Sequence, residues 1–340
     1  MTEDFEREAF TTLAKVLEQP LFNVGAPSRE VDLIAQSDEH VFLVECKRAA
    51  TIRSLEGALE QLKRTRVFVG QKPTVSVIAV PFMGEVGKEF CRLASVSWID
   101  LAGNASLRGP GLHIRIEGRP NPERKRGRPG NVFAPKSARV TRRLLLEPTR
   151  TFRQRDLAHE TGLGEGFVSR IVGQLETQGF ISREQGAIHV KNPGLLLDAW
   201  RAAYSFDRHH IVRGHIPARG PQALLAALSE ALREGSITHA ATGLASAWMR
   251  TQFAGFRTVT VYVKTFPELG ALHFRAEERG ANVWLVVPND TGVFDGAIDV
   301  DGIRCVSAVQ TYLDLLAMPE RAEEAADELR RTLLAWSLHG

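Results

Sequence analysis

Residues 120–136 interrupt the sequence with a segment that is poorly suited to any packed core. The segment reads PNPERKRGRPGNVFAPK, and its prolines, glycines and charged side chains disfavour both helix and strand. A chain of 340 residues is also longer than one hydrophobic core usually serves. We therefore predict a multidomain protein in which 120–136 is a linker between residues 1–119 and two further domains, 137–192 and 193–340.

Positive charge is concentrated around this linker. The whole chain has a net charge of +3, but residues 115–155 contain thirteen Lys or Arg against three acidic residues. The remainder of the chain then carries a net charge of −7. This asymmetry favours a polyanionic partner bound near the linker, although a solvated linker is the alternative.

Three features bear on cellular location. No stretch approaches the eighteen apolar residues that a membrane span requires, and the first residues, Met1 to Glu6, lack the apolar region of a secretory signal. Cys46, Cys91 and Cys305 are odd in number and widely spaced, which is typical of reduced thiols. We expect a cytoplasmic protein that does not bind membranes.

The spacing of apolar residues predicts mixed helices and strands in residues 1–119. Apolar side chains recur at helical spacing in residues 10–17 and again in 52–69. Short apolar runs at 31–35, 41–44 and 75–80 predict strands. The first domain is therefore expected to be α/β.

Asp32, Glu45 and Lys47 form the candidate catalytic group of this domain. Period-two geometry places Glu45 and Lys47 on the same face of a strand, and a hairpin through residues 36–40 would bring Asp32 near Glu45. Two converging carboxylates could bind Mg²⁺, which prefers hard oxygen ligands. The Lys47 ammonium could then orient or deprotonate a metal-bound water and stabilise charge developing at phosphorus.

This pattern, Asp32 followed by Glu45-x-Lys47 in apolar strands, resembles the PD-(D/E)xK nucleases in their Mrr-like and resolvase-like form. The resemblance implies a restriction-endonuclease-like fold with Mg²⁺ or Mn²⁺ as cofactor if the site is catalytic. Glu6 and Gln61 match further positions at which some members place a carboxylate and a glutamine, but the tyrosine usual after that glutamine and the proline of the family name are absent. The alternative is a structural ion pair of Glu45 with Lys47, with Asp32 capping a turn.

Within the linker, Lys125, Arg126 and Arg128 surround a glycine in the order Lys-Arg-Gly-Arg-Pro, which resembles the AT-hook. Glycine lets the backbone approach the base of a narrow minor groove while the two arginines extend along it. Narrow A·T-rich grooves concentrate negative potential and attract inserted arginine. The resemblance implies binding to A·T-rich double-stranded DNA, whereas a generic basic linker is the alternative.

Residues 137–192 predict three helices followed by two short strands. Gly162 ends the second predicted helix, Gly179 ends the third, and residues 184–186 predict a turn between the strands. The pattern resembles winged helix-turn-helix domains, in which the early residues of the third helix enter the major groove. The expected base-reading side chains are Glu165, Ser169, Arg170 and Gln174, and the expected phosphate contacts are Arg153, Arg155 and Arg183. A winged helix used for protein contacts is the alternative.

The C-terminal region, 193–340, predicts a further α/β domain with strands at 259–263 and 283–287 and a last helix at 321–336. Residues 239–331 resemble the C-terminal domain of AbiEi-type antitoxins. The resemblance implies a regulatory role, with a toxin or other protein as partner. His209, His210 and His215 lack a cysteine or paired carboxylates at ligand spacing, so we expect surface histidines there.

Two functions are compatible with these patterns. The first is a Mg²⁺-dependent DNA endonuclease targeted by its winged helix and AT-hook. The second is a non-enzymatic transcriptional regulator, similar to an antitoxin, that uses the nuclease-like fold for binding or dimerisation. Winged-helix regulators commonly form homodimers, and a two-fold homodimer would require a palindromic site.

Overall fold

The structure is a computed structural model that describes residues 2–24, 31–65, 72–122 and 132–336. These residues form a mixed α/β protein with eleven α-helices and three β-sheets. Contacts divide it into two compact units. Unit 1 contains Met1–Pro129 and Glu176–Phe180, and unit 2 contains Gly130–Leu175 and Ile181–Gly340. No helix in the described parts of the chain is long and apolar enough to cross a membrane.

The elements of unit 1 follow one another as helix, hairpin, helix and further strands. They are α1 (Thr2–Leu17), β1 (Phe22–Asn23), β2 (Leu33–Gln36), β3 (Val41–Cys46), α2 (Ile52–Arg64), β4 (Thr74–Val80), α3 (Glu85–Leu93), β5 (Ser97–Asp100), β6 (Ala105–Gly109) and β7 (Leu112–Ile116). The strands form one sheet in the order β1-β2-β3-β4-β5-β6-β7. β3, β4 and β5 are parallel, and the other neighbours are antiparallel.

Strand β3 is central and is covered on both faces. Phe42 and Val44 pack with Leu13 of α1, whereas Leu43 packs with Leu55 of α2 on the opposite face. Burial on both faces explains why 41–44 is a continuous apolar run rather than an alternating one. The strands predicted at 31–35, 41–44 and 75–80 are confirmed as β2, β3 and β4.

The N-terminal part of unit 2 has three helices and a small sheet. Its elements are α4 (Ala138–Leu146), β8 (Phe152–Arg153), α5 (Gln154–Thr161), α6 (Glu165–Thr177), β9 (Ile181–Glu184) and β10 (Ala187–Val190). The antiparallel sheet has the order β8-β10-β9. Gly162 ends α5 at a φ of 64°, a left-handed conformation that glycine adopts without a Cβ clash. The predicted three helices and two strands are confirmed, and β8 is an addition.

The rest of unit 2 is a second α/β arrangement. Its elements are α7 (Pro193–Ala203), β11 (His210–His215), α8 (Pro221–Glu234), β12 (His239–Thr242), α9 (Gly243–Thr251), β13 (Val259–Val263), β14 (Arg275–Ala276), β15 (Val283–Val287), β16 (Ile298–Val300), β17 (Ile303–Cys305), α10 (Ala308–Leu315) and α11 (Ala322–Leu333), with short 3₁₀ helices at Phe206–Arg208, Gly270–Leu272 and Thr291–Phe294. The sheet order is β14-β11-β15-β13-β12-β17-β16. The strands predicted at 259–263 and 283–287 are confirmed, and the last helix is shorter than predicted.

Candidate active site and nucleic-acid interface

The β2–β3 hairpin brings Asp32 and Glu45 to the same edge of the unit 1 sheet. Leu33 pairs with Val44, so the next step of the antiparallel register places Asp32 opposite Glu45. The backbone N–H of Cys46 donates a 2.7 Å hydrogen bond to Oδ2 of Asp32. This contact fixes the carboxylate of Asp32 beside the end of β3.

Glu45 and Lys47 project from the same side of the chain, as the sequence predicts. Lys47 Nζ lies 2.5 Å from Glu45 Oε1. The Glu45 side chain is only 7% exposed, whereas that of Lys47 is 27% exposed. The second carboxylate oxygen, Oε2, is buried and has no hydrogen-bond partner among the described residues. Such a buried polar atom is costly and calls for an explanation.

The electrostatics of this pair favour a nearby cation. Burial raises the pKa of Glu45, and the negative charge of Asp32 raises it further. The hydrogen bond and positive charge of Lys47, together with the backbone N–H of Asp32, oppose this shift. Because Lys47 does not fully compensate the Glu45 carboxylate, a bound cation would stabilise its ionised form.

Glu6 lies near the Cys46 thiol, whereas Gln61 lies farther along the fold. Burial raises the pKa of the Cys46 thiol, and the charges of Asp32, Glu6 and Glu45 add to that shift. Gln61 is in the last turn of α2, where its backbone C=O accepts hydrogen bonds from Thr65. Helix α2 begins at Ile52, shortly after Lys47. With a rise of 1.5 Å per residue, Gln61 lies about 14 Å along the helix axis from Ile52.

The donor set at this edge fits Mg²⁺ or Mn²⁺. Mg²⁺ in proteins is commonly held by one or two carboxylates and keeps several waters. Asp32 and Glu45 supply two carboxylates, and the unpartnered Oε2 of Glu45 is available as a ligand. No cluster of three or more His, Cys, Asp or Glu suited to a metal ion occurs within the described ranges. The fit therefore rests on these two carboxylates alone.

All three predicted phosphate-contacting arginines of unit 2 line one open depression. Its lining includes Arg153, Arg155, Glu165 and Arg183, which come from β8, α5, α6 and β9. The three arginines are exposed, and Arg155 lies 3.7 Å from Asp156. Three separate elements thus contribute cationic side chains to one surface.

The other predicted base-reading residues lie along α6. Arg170 is exposed, and its guanidinium lies 5.2 Å from the centre of the Phe167 ring. Ser169 is half-buried. Gln174 is also half-buried, and its Oε1 is shielded from solvent without a hydrogen-bond partner in the part of the chain that the structure describes. Lys125, Arg126 and Arg128 lie outside the described residues.

A buried polar cluster surrounds Asp314 and is not predicted by the sequence patterns. Its Oδ1 accepts hydrogen bonds from Tyr204 (2.5 Å), Gln310 (2.8 Å) and Tyr262 (3.1 Å), and its Oδ2 accepts one from Thr242 (2.5 Å). Burial raises the pKa of Asp314 to about 6, against the opposing effect of these hydrogen bonds. The available signal was the spacing of Gln310 and Asp314, four residues apart in the mainly apolar segment 306–316.

His209 belongs to the same cluster, so its predicted surface position is wrong. Its side chain is buried, its Nε2 lies 3.0 Å from the hydroxyl of Tyr204, and its Nδ1 accepts a 3.2 Å hydrogen bond from the backbone N–H of Asn289. Burial lowers the pKa of His209 to about 4, and the charge of Arg142 lowers it further. Packing against the C-terminal sheet, which local sequence does not reveal, decides this burial.

No protein-family model, curated protein or solved structure matches this chain.

Proposed function

We propose that this chain is a DNA-binding protein that cleaves DNA with the help of Mg²⁺ or Mn²⁺. The observation that carries the proposal is the buried Oε2 of Glu45, which has no hydrogen-bond partner among the described residues and lies in a carboxylate that is close to Asp32 and paired with Lys47. A metal ion held by Asp32 and Glu45 would account for this atom.

The finer fold assignment belongs to the same proposal. In unit 1, the order α1, hairpin β2–β3, α2 and parallel β4 supports a restriction-endonuclease-like domain with the Asp32 and Glu45-x-Lys47 pattern. In unit 2, three helices with the sheet β8-β10-β9 support a winged helix-turn-helix domain. The turn of the wing is formed by Gln185 and Gly186, both at positive φ, as two-residue hairpin turns prefer.

Each side chain of the candidate active site has a defined task. The N–H of Cys46 orients Asp32, and the ion pair with Lys47 orients Glu45. Lys47 is the more exposed partner of that pair, so it can donate to a phosphate oxygen and stabilise charge that develops there. When bound, the metal would polarise the scissile phosphate and lower the pKa of a coordinated water.

DNA binding is supported by the positions of the exposed arginines. Arg153, Arg155 and Arg183 would contact phosphates from one surface, while Ser169 and Arg170 of α6 would face base edges. The Lys-Arg-Gly-Arg-Pro segment would add minor-groove contacts to A·T-rich DNA.

A second candidate function is a non-enzymatic regulator similar to an antitoxin. It is favoured by the contacts that join α4 to the C-terminal part of unit 2. Arg139 forms a bidentate ion pair with Asp290, at 2.7 and 3.0 Å, and Arg142 donates a 2.6 Å hydrogen bond to Gln310. Through these contacts, a toxin, a second copy of the chain or another partner bound to the C-terminal part could alter DNA binding.

Incubation of plasmid and linear duplex DNA with the full chain, with and without Mg²⁺ or Mn²⁺, tests the first function. We expect Glu45→Gln to reduce metal-dependent cleavage at least about a hundredfold, since it replaces a metal-binding carboxylate. We expect Lys47→Met to reduce cleavage as well, while both variants keep their DNA affinity in a gel-shift assay. Glu60→Gln, an exposed glutamate of α2, is the matched control and should cleave normally.

The outcomes separate the two functions. Cleavage that needs metal and is lost in Glu45→Gln but not in Glu60→Gln supports the endonuclease. Metal-independent binding without cleavage under any of these conditions supports the regulator. Cleavage at the same rate in Lys47→Met would remove the lysine from the mechanism.

A further inference from the structure

A pocket in unit 2 lies between the first helix of the winged-helix segment and the C-terminal sheet. We call it the Arg142 pocket. Its lining includes Arg142 of α4, Trp200 and Tyr204 at the end of α7, Arg208 and His209 before β11, and Gln310 of α10. The enclosed part of the pocket has a volume of only about 30 Å³. A space of this size admits one small polar group rather than a whole drug-sized molecule.

Arg142 is an unusual group to find inside this pocket. It is only 3% exposed, and burial lowers the pKa of its guanidinium. One nitrogen donates a 2.6 Å hydrogen bond to the amide oxygen of Gln310, and the guanidinium lies 5.1 Å from the centre of the Trp200 ring. Its Nε is buried and has no hydrogen-bond partner among the described residues.

The neighbouring carboxylates do not neutralise Arg142 by direct contact. Asp290 also lines the pocket, but its two oxygens are bound by Arg139. Asp295 opposes the fall in the pKa of Arg142 through its charge, yet it forms no ion pair with Arg142 within the described ranges. A buried guanidinium that has a free N–H and no ion-paired carboxylate is well suited to bind an oxyanion through a charge-assisted hydrogen bond.

The other polar groups of the pocket are hydrogen-bonded to one another, so among the described residues the Nε–H of Arg142 stays free for a ligand. His209 is occupied on both ring nitrogens, by Tyr204 and by the backbone of Asn289. Tyr204 in turn donates to Asp314. Arg208 is exposed and lines the same pocket, so it adds a second positive charge near the opening. The pocket is therefore lined by one buried and one exposed guanidinium.

We propose that the Arg142 pocket binds the oxyanion group, carboxylate or phosphate, of a small ligand. Arg142 is the buried donor, Arg208 is the donor at the opening, and Trp200 supplies an apolar wall. The ligand would contact α4 together with α7 and the segment that follows it, and so it would link the first helix of residues 137–192 to the C-terminal α/β arrangement. The proposal does not depend on DNA cleavage.

Calorimetric titration of the full chain with inorganic phosphate and with sodium acetate, at constant ionic strength, tests this proposal. We expect saturable binding of at least one probe, and the stronger of the two identifies the ligand group. Arg208→Gln and Arg142→Lys should each weaken that binding at least about tenfold, the second because lysine retains the charge but lacks the Nε donor. Arg304→Gln, an exposed arginine elsewhere in unit 2, is the matched control and should bind normally.

Two further measurements keep the test independent of folding and of other basic surfaces. Binding should change the tryptophan fluorescence of the parent chain, and Trp200→Phe should remove that change because Trp200 lines the pocket. Arg233→Ala should leave phosphate binding unchanged, since Arg233 pairs with Glu230 and does not line the pocket. Absence of saturable binding of both probes would overturn the proposal, as would binding that is unaffected by Arg208→Gln.

Discussion

Asp314 and His209 lie in one hydrogen-bonded cluster, but their shifted pKa values affect stability in opposite directions. Burial raises the pKa of Asp314 from 3.8 to about 6, so between these values the folded chain holds a proton that the unfolded chain has released. The free energy of unfolding therefore falls as the pH rises through this range. At 1.36 kcal/mol per pKa unit, the full effect is about 3 kcal/mol.

The shift of His209 has the opposite sign. Its pKa falls from 6.5 to about 4, so in this range the unfolded chain holds a proton that the folded chain has released. The free energy of unfolding then rises with pH, again by about 3 kcal/mol. Because the two ranges overlap, the contributions of Asp314 and His209 should largely cancel in the parent chain.

Removing either group should reveal the contribution of the other. Relative to the parent chain, Asp314→Asn should gain about 2 kcal/mol of unfolding free energy between pH 4 and pH 6, the part of the full effect that falls within this window. His209→Gln should lose a similar amount over the same range. Urea unfolding at several pH values measures both differences, and profiles parallel to that of the parent chain would contradict the assigned shifts.

At the scale of elements, the depression in unit 2 depends on how short strands position exposed arginines. β8 pairs with β10, and β10 pairs with β9 through the turn at Gln185 and Gly186. This pairing holds Arg153 and Arg183 on adjoining parts of one surface. Their spacing is therefore a property of the small sheet rather than of either strand alone.

We expect Arg153→Ala and Arg183→Ala each to weaken DNA binding and to make it less sensitive to salt. Each lost phosphate contact should reduce the slope of log affinity against log salt by about 1, because one fewer counterion is released. Arg233→Ala, an exposed arginine paired with Glu230, should leave the slope unchanged. Fluorescence anisotropy with a labelled duplex at several salt concentrations gives these slopes, and equal slopes for all variants would exclude phosphate contacts at the wing.

For the whole molecule, the basic segment around the linker is expected to guide where the chain binds. Replacement of both Arg126 and Arg128 by alanine should weaken binding to A·T-rich duplex more than binding to G·C-rich duplex, since the narrow A·T minor groove attracts arginine most strongly. Competition gel shifts with the two duplexes measure the difference. Equal losses on both duplexes would show that the segment acts only through its charge.

Much of unit 1 could be predicted because its decisive interactions are local. Asp32, Glu45 and Lys47 lie within a short hairpin, where period-two geometry and one turn determine which side chains converge. The short strands β1, β5, β6 and β7 were not predicted, because β1 has only two residues and the outer strands carry polar residues that weaken the apolar pattern. Their position depends on pairing with the completed sheet.

The sequence by itself determined the charge distribution and the convergence of the Asp32, Glu45 and Lys47 side chains. Only the tertiary structure decided that Oε2 of Glu45 is buried without a partner among the described residues, and that Arg142 meets Gln310 across 168 positions of sequence. Periodicity describes a residue's immediate neighbours along one element. Contacts between elements that are distant in sequence follow from packing, which brings together polar groups that no local pattern connects.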